Sequence, residues 1–414
     1  MAAAPAALAT PGGGRVAAGG RYVYRVPASV PYWSGRTLAA IAGALLGGRV
    51  RRGPHTGRLR ARLAELFEGA EVVPCGSGRV AIELALRALG VGAGDEVVVP
   101  TFCCRSIMPP ILALGATPVL ADAGPDLNVS VATVDAALTT RTRAVIVPHL
   151  FGNPADVDGI EALCRPRGIA VIDDAAQALG ATRSGRPVGA FGSAGIVSFG
   201  RGKVCFGTGG GALVTADTDV AARAASVTLT TAPAGRAAVD ALSVLVWRRW
   251  RRVTLPALRL VSRFSRPPGR AAYRREAMRN IDAAVALTLL ATLPDNVRAR
   301  RARVARYRSV LEGCEGVDLV PHGPGSACLT QVVRVAGADG DRAAAVLARL
   351  RASGVEADRS YRPLHLMPAY ARFARRPLTR ADSVWTELVE LPCEPSVRLD
   401  TVEAIARTVR QVLP

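Results

Sequence analysis

Short apolar segments rich in β-branched residues recur through the first half of the chain, and most are separated by stretches with helical periodicity. The segments are 71–75, 96–100, 117–121, 144–148, 169–173, 194–199 and 211–215. Apolar runs of this length between helices are typical of strands buried on both faces of a parallel sheet. The pattern therefore predicts an α/β fold with a seven-stranded, mostly parallel, doubly wound sheet, whose ligands bind beyond the carboxyl ends of the strands.

The rest of the chain divides around this sheet. Residues 1–20 have low complexity and are predicted to form a disordered tail, and residues 21–279 form the large domain. Residues 280–312 have the pattern of one long linking helix, apolar first and arginine-rich later. Residues 313–414 are predicted to form a smaller α+β domain. Its predicted elements are strands at 317–320 and 330–337 and helices at 341–353 and 400–413.

Residues 238–270 interrupt the large domain with a basic, tryptophan-bearing segment that ends in Pro-Pro-Gly. Its apolar residues recur at roughly helical spacing, which is compatible with a helix lying on a membrane surface. An insertion that packs on its own protein or on a partner subunit explains the same pattern, and we favour that interpretation.

Composition excludes several kinds of site. The formal net charge is +20, but the arginines are spread along the chain without a nucleic-acid-binding motif, so nucleic acid is not predicted as a partner. The same charge favours anionic substrates. The eight cysteines form no CxxC pair and the four histidines are dispersed, so no metal site is predicted. Unpaired cysteines in a chain of this size fit the reducing cytoplasm.

One basic residue differs from all the others. Lys203 is the only lysine among 53 basic residues, the remainder being arginines. Arginine serves as well as lysine on a surface, but only the lysine amine can lose its proton and act as a nucleophile or form a Schiff base. Lys203 lies in a glycine-rich loop, expected to be flexible, between two predicted strands. We therefore predict Lys203 as the catalytic residue.

Two strand ends carry groups suited to a phosphate. Ser77, Gly78 and Arg79 form a turn between a strand and a helix, where backbone N–H groups and the positive helix end face an anion. The Arg79 side chain adds a charge-assisted contact. Ser198 ends a later strand, five residues before Lys203, and its hydroxyl suits the same phosphate.

Two further strand ends carry groups suited to a flat pyridine ring. Asp174 can keep the ring nitrogen protonated, and we prefer it to Asp173, although this acidic pair could also cap the next helix. Gln177 suits the phenolic oxygen of such a ring, and Cys104 lies where a side chain would rest against it. Together with Lys203 these groups match pyridoxal phosphate (PLP), which makes the large domain the PLP-binding domain.

The same segments resemble the DegT/DnrJ/StrS family of PLP-dependent aminotransferases, which have fold type I and act mainly on nucleotide-linked keto-sugars. The resemblance runs from about residue 55 to the C-terminus. The motifs that carry it are, in order, the Ser-Gly turn, ALGVGAGDEVVVP, HLFGNPAD, VIDDAAQALGA, SF followed by a lysine after three residues, the glycines before ALVT, PLHLMPAY and LPCEPSV.

The resemblance implies the aspartate-aminotransferase-like fold of PLP-dependent transferases, and a homodimer with active sites at the subunit interface. His149 and His365 match positions near the site, although a structural role explains each histidine equally well. The implied contacts are Lys203 as the Schiff base, Asp174 on the ring nitrogen, Gln177 on the phenolic oxygen, and Ser198 with the Gly78 turn on the phosphate.

The chain departs from the family pattern near the predicted site. Arg79 stands where the family has threonine, and Cys104 stands where it has an aromatic residue that stacks on the ring. Val204 and Gly209 replace a common asparagine and a common glutamate. The loop after residue 220 lacks the Asn/His pattern by which a neighbouring subunit reaches the phosphate. These departures leave the identity of the substrate open.

The function that the resemblance implies is transfer of an amino group from glutamate or glutamine to a nucleotide-linked keto-sugar, in cell-surface polysaccharide or secondary-metabolite biosynthesis. The alternative among enzymes is a PLP-dependent sugar dehydratase or another fold-type-I enzyme. Dehydratases of this scaffold replace the lysine with histidine, so Lys203 favours transamination. The alternative of another class is a non-catalytic PLP-fold regulator or scaffold.

Overall fold

The computed structural model describes residues 26–244, 273–337 and 340–412, and a seven-stranded sheet occupies its centre. The strand order across the sheet is β1-β9-β8-β5-β4-β2-β3, in which β9 is antiparallel to both of its neighbours and the other pairs are parallel. The predicted mostly parallel α/β sheet is confirmed. The strands, including a small hairpin of β6 and β7, are β1 (Glu71–Cys75), β2 (Glu96–Pro100), β3 (Thr117–Ala121), β4 (Thr142–Pro148), β5 (Ala170–Asp174), β6 (Thr182–Arg183), β7 (Arg186–Pro187), β8 (Ala194–Ser198) and β9 (Gly211–Thr215).

Helices cover both faces of the sheet, because successive strand residues are apolar on both sides. In β2, Val97 and Val99 face one layer and Val98 faces the other, and all three are completely buried. The helices are α1 (Gly35–Leu46), α2 (His55–Leu66), α3 (Gly78–Ala88), α4 (Met108–Ala113), α5 (Val131–Asp135), α6 (Val157–Cys164), α7 (Thr218–Ser226), α8 (residues 234–244) and α9 (Asn280–Ala291).

Much of the C-terminal part of the chain, which we call the C-terminal unit, packs around its own apolar cluster, whereas Val332, Leu364 and Leu388 belong to the core of the large sheet. Three antiparallel strands in the order β10-β11-β12 make its sheet. The strands and helices predicted from residue 313 onward are confirmed, and the third strand was not predicted. The elements are α10 (Leu293–Leu311), β10 (Val317–Leu319), β11 (Thr330–Val335), α11 (Asp341–Ala352), α12 (Thr379–Val384), β12 (Leu388–Pro392) and α13 (Leu399–Gln411).

The single helix predicted over 280–312 is wrong, because two helices, α9 and α10, meet at Thr292. Pro294 lies in the first turn of α10, where its missing N–H and fixed φ suit a helix start and oppose a continuous helix. The two helices also belong to different layers. α9 packs against α1 and α2, whereas α10 packs against α13.

Part of the N-terminal and insertion predictions lies outside the described residues, namely the tail at 1–20 and residues 245–270. The start of the predicted insertion lies in α8, where Ala237 and Ala241 are completely buried in the core of the large domain. No helix in the described part of the chain is long and apolar enough to cross a membrane. All eight cysteines are unpaired.

Gly195 in β8 has no room for a side chain, because the backbone of Gly189 packs directly against it. A Cβ at this position would overlap the carbonyl oxygen of Gly189. We predict that Gly195→Ala lowers the free energy of unfolding by about 1–3 kcal/mol, because the backbone has to move apart. Gly92→Ala is the matched control, since a Cβ there meets no atom within 4 Å. Urea unfolding measures both variants, and equal losses would contradict the prediction.

Candidate functional site

A cavity of about 400 Å³ lies beyond the carboxyl ends of β1, β2, β4, β5 and β8. Its volume is within the range of roughly 300–1,000 Å³ that is usual for small-molecule sites. The structure brings every residue of the predicted site into this one cavity. Those residues are Ser77, Gly78, Arg79, Cys104, Asp174, Gln177, Ser198 and Lys203.

One end of the cavity is suited to an anion. Ser77 is the N-cap of α3, and its hydroxyl accepts a hydrogen bond from the Val80 N–H at 3.4 Å. The N–H groups of Gly78 and Arg79, also in the first turn, have no acceptor within the helix and lie at the positive end of its dipole. Gly78 allows close approach, because a Cβ there would lie 3.0 Å from the Cβ of Ser198. Arg79 also lines the cavity, and its guanidinium carbon lies 6.0 Å from the centroid of the Tyr273 ring.

The opposite end of the cavity presents an acid. Asp174 ends β5, and its Oδ1 accepts a hydrogen bond from the Ala176 N–H at 3.0 Å. Burial raises the pKa of this carboxyl group, and the nearby positive charge of Lys203 opposes the rise. A cation bound against Asp174 would oppose the rise in this pKa further.

Asp173, the neighbouring acid, does not line the cavity. It is completely buried and accepts hydrogen bonds from the N–H groups of Gly189 at 2.6 Å and Phe191 at 2.9 Å. It also pairs with Nε2 of His149, whose Nδ1 accepts the Ala155 N–H at 2.9 Å. Both nitrogens of His149 are therefore used inside the fold, and this histidine has a structural role.

His365 is engaged in the same way. Its Nδ1 lies 2.6 Å from the hydroxyl of Thr101, and its Nε2 lies 2.7 Å from a carboxylate oxygen of Asp382. These contacts tie the segment before α12 to the end of β2. His365 does not line the cavity.

Gln177 is held with its amide nitrogen available. Its Oε1 accepts the Phe151 N–H at 3.3 Å, which fixes the carboxamide. Its amide nitrogen makes no hydrogen bond to any residue that the structure describes. This group can therefore donate to an acceptor within the cavity.

The loop that carries Lys203 is anchored after the lysine. The carbonyl oxygen of Val204 accepts a hydrogen bond from Asn296 at 3.1 Å, and that of Phe206 accepts one from the indole of Trp33 at 2.8 Å. The glycine content had indicated a flexible loop, but these bonds hold its second half. The Lys203 amine itself forms no ion pair or hydrogen bond within the described ranges of the chain.

Tyr361 is a cavity residue that the sequence did not reveal. It lines the cavity with Cys104, and its ring meets that of Phe102 edge-on, with 6.4 Å between centroids. Burial raises the pKa of its hydroxyl well above the usual value, so the group stays protonated. The nearby PLHLMPAY motif marked this region, but nothing in the sequence indicated that Tyr361 reaches the sheet edge.

A wider and more open depression of about 540 Å³ lies at the other edge of the sheet. Its charged side chains have partners inside the fold. Arg87 pairs with Glu83 at 2.7 Å, Arg223 donates to the carbonyl of Ala88, and Asp217 caps α7. The groups that can do chemistry are those at the carboxyl edge.

Comparison with known proteins extends the likeness over almost the whole chain. The model of the DegT/DnrJ/EryC1/StrS aminotransferase family matches residues 33–410. A dTDP-3-amino-3,4,6-trideoxy-alpha-D-glucose transaminase from Streptomyces venezuelae is 32% identical over 387 residues, which is 91% of each chain. A GDP-perosamine synthase from Caulobacter vibrioides is 29% identical over 354 residues, 82% of this chain and 85% of that one.

A solved structure of S. venezuelae DesV in complex with a ketimine intermediate has a TM-score of 0.74 and 31% identity, covering 92% of this chain and 98% of that one. The predicted PLP-dependent transferase fold is therefore confirmed.

The two aspartates allow a test of the division between structure and chemistry. We predict that Asp173→Asn lowers the free energy of unfolding of the cofactor-free protein by about 1–3 kcal/mol, because its new NH₂ group faces buried donors. Asp174→Asn keeps the acceptor for Ala176 and removes a buried charge, so the loss stays below about 1 kcal/mol. Urea unfolding of both variants decides, and a larger loss at 174 would contradict the assignment.

Proposed function

The chain belongs to the DegT/DnrJ/EryC1/StrS aminotransferase family, and we propose that it transfers an amino group from glutamate or glutamine to a nucleotide-linked keto-sugar. The observation that carries the proposal is that the amine of Lys203, the only lysine in the sequence, shares a cavity with the buried acid Asp174 and the anion-binding turn at Gly78. The relatives whose names specify dTDP- and GDP-linked amino sugars support the substrate class. The strongly basic chain suits such anionic substrates.

PLP is the cofactor that fits the cavity, since each of its polar groups has a counterpart there. Its phosphate suits the turn at Gly78, the hydroxyl of Ser198 and the guanidinium of Arg79. Its ring nitrogen suits Asp174, and its phenolic oxygen suits the amide nitrogen of Gln177. A Cβ at residue 78 would crowd Ser198, so the close approach at the phosphate end depends on glycine.

The chemistry then divides between the cofactor and the chain. PLP, when bound, supplies an aldehyde carbon that takes up an amine and a ring that accepts the electron pair released next to it. The Lys203 amine would take the proton from the α-carbon of the amino donor and deliver it, across the intervening nitrogen, to the carbon of the cofactor's former aldehyde, first as a general base and then as a general acid. Asp174 keeps the ring nitrogen protonated. The same groups act in the reverse order on the keto-sugar.

Two alternatives from the sequence are weaker. A dehydratase of this scaffold uses histidine in place of the lysine, and here the amine of Lys203 is present and unpaired within the described residues. A non-catalytic scaffold does not agree with a relative that is named as a transaminase and matches 91% of this chain. The homodimer and the cytoplasmic location stay predictions, and sedimentation velocity would measure the first.

Tyr361 is proposed to supply the aromatic contact that Cys104 does not. We predict that Tyr361→Leu weakens PLP binding about three- to tenfold, because an aromatic neighbour contributes beyond its buried area. Tyr361→Phe keeps the ring and is the matched control, with affinity close to that of the wild type. Absorbance titration with PLP measures both, and equal weakening in the two variants would assign the effect to the hydroxyl instead.

The absorption spectrum tests the function directly. We expect purified protein with PLP to show a visible band that requires Lys203 and is bleached by glutamate or glutamine, because the amine passes to the cofactor. Lys203→Ala is the control for the band, and Lys203→Arg is expected to abolish turnover since arginine keeps its proton. A Lys203-dependent band that neither donor changes would contradict the proposed donors. The absence of any band would contradict the proposed cofactor.

A further inference from the structure

Two polar side chains on one face of α10 are almost completely buried. Asn296 is 3% exposed and Arg300 is 1% exposed, and a spacing of four residues places them one above the other. Arg300 donates through Nε to Oδ1 of Asn296 at 2.8 Å. A buried pair of this kind needs further partners at both ends, because each unsatisfied group would cost free energy.

At one end the partner is an acid from the C-terminal unit. Nη2 of Arg300 donates to Oε2 of Glu394 at 2.8 Å, and Nη1 donates to the carbonyl oxygen of Leu329 at 2.8 Å. Glu394 is 2% exposed and follows β12, in the LPCEPSV motif. The ion pair is therefore shielded from solvent.

At the other end the partner is the backbone next to the lysine. Nδ2 of Asn296 donates to the carbonyl oxygen of Val204 at 3.1 Å, and Val204 directly follows Lys203. Three consecutive hydrogen bonds thus run from Glu394 through Arg300 and Asn296 to the carbonyl group of the residue after the lysine. We name the set of Glu394, Arg300 and Asn296 the relay.

Stability alone does not account for the relay. A buried ion pair contributes little net stability, and apolar side chains of similar size often fill such a space equally well. An apolar residue in place of Asn296 would, however, leave the Val204 carbonyl without this donor. What the relay adds is a fixed direction for one carbonyl group, that of the residue directly after the lysine.

We propose that the relay positions the amine of Lys203 and couples that position to the C-terminal unit. The inference rests on the proposed function in taking Lys203 as the reacting amine. With the Val204 carbonyl held, the side chain of Lys203 leaves the backbone toward the cavity and the acid of Asp174. Without that bond the peptide can rotate, and the amine spends more of its time outside the cavity.

The single lysine makes the test direct, because an amine-reactive acylating reagent labels only Lys203 and the N-terminal amine. Asn296→Asp keeps the acceptor for Arg300 and replaces only the donor to Val204 with an oxygen. We expect the rate of Lys203 acylation in the cofactor-free protein to rise about three- to tenfold, the usual weight of one hydrogen bond. Peptide mass spectrometry measures the rate, with the N-terminal amine as internal reference.

Glu394→Gln tests the far end of the relay, and a smaller rise in the same direction is expected. Its matched control is Glu96→Gln. Glu96 is 1% exposed and, like Glu394, it is ion-paired, with Arg141 and Arg375, but it starts β2 at the other edge of the sheet. The control is expected to lose stability and to leave the acylation rate unchanged.

Two results would overturn the proposal. One is a wild-type acylation rate in Asn296→Asp, or in Asn296→Ala if the first variant does not fold by circular dichroism. The other is an equal rise in Glu96→Gln and Glu394→Gln, which would indicate general loosening. Acylation needs no cofactor, so a rise in the Asn296 variant of a protein that forms no PLP band would support the relay and contradict the proposed function.

Discussion

Parallel strands of one sheet end at the same edge. The first residues after each strand no longer pair with a neighbouring strand, so their polar groups are available for other contacts. In this protein those residues belong to the ends of β1, β2, β4, β5 and β8. They are far apart in sequence but lie around one cavity because the strands are in register. The anion-binding turn at Gly78, the acid Asp174 and the lysine loop all depend on this arrangement, which the backbone hydrogen bonds between the strands maintain.

Two adjacent residues at this edge, Asp173 and Asp174, have different roles. Asp173 and Asp174 follow one another along β5, so their side chains alternate between the two sides of the strand. One carboxylate is satisfied by two backbone N–H groups and His149, and the other faces the cavity. Asp173 therefore fixes the backbone at Gly189 and Phe191, and Asp174 is available to a ligand in the cavity. The site requires both carboxylates, because Asp174 can face an open cavity only while the hydrogen bonds of Asp173 hold the neighbouring backbone in place.

The sheet and most of the cavity could be predicted from the sequence because the signals are local. An apolar run of strand length that ends in Ser-Gly or Asp-Asp places a hydroxyl or a carboxylate at the carboxyl edge of the sheet. The choice of Asp174 over Asp173 agrees with the cavity that the structure shows. Tyr361 and the relay could not be predicted. They reach the site from segments more than 90 residues away from Lys203 in sequence, and no periodicity in the chain encodes that distance.

The break between α9 and α10 was missed for a different reason. Pro294 is visible in the sequence, but residues that favour a helix continue on both sides of it, apolar before and arginine-rich after, so the pattern suggested one helix. Proline in the first turn of a helix is common, and only the change of packing partners shows that a new helix starts there. The local signal was present and was outweighed by the longer pattern.

The reversed direction of β9 gives the lysine loop a different path from that of the other segments that leave the cavity edge. Segments that leave β1, β2 and β4 at the cavity edge carry a helix and enter the next strand at the opposite edge. The loop over 199–210 instead returns to the edge it left, because Ser198 pairs with Gly211 across β8 and β9. Its two ends are thus fixed side by side whatever lies between them. Insertions or deletions between Ser198 and Lys203 would change how far the amine reaches, while the bonds of Val204 and Phe206 would still hold the second half of the loop in place.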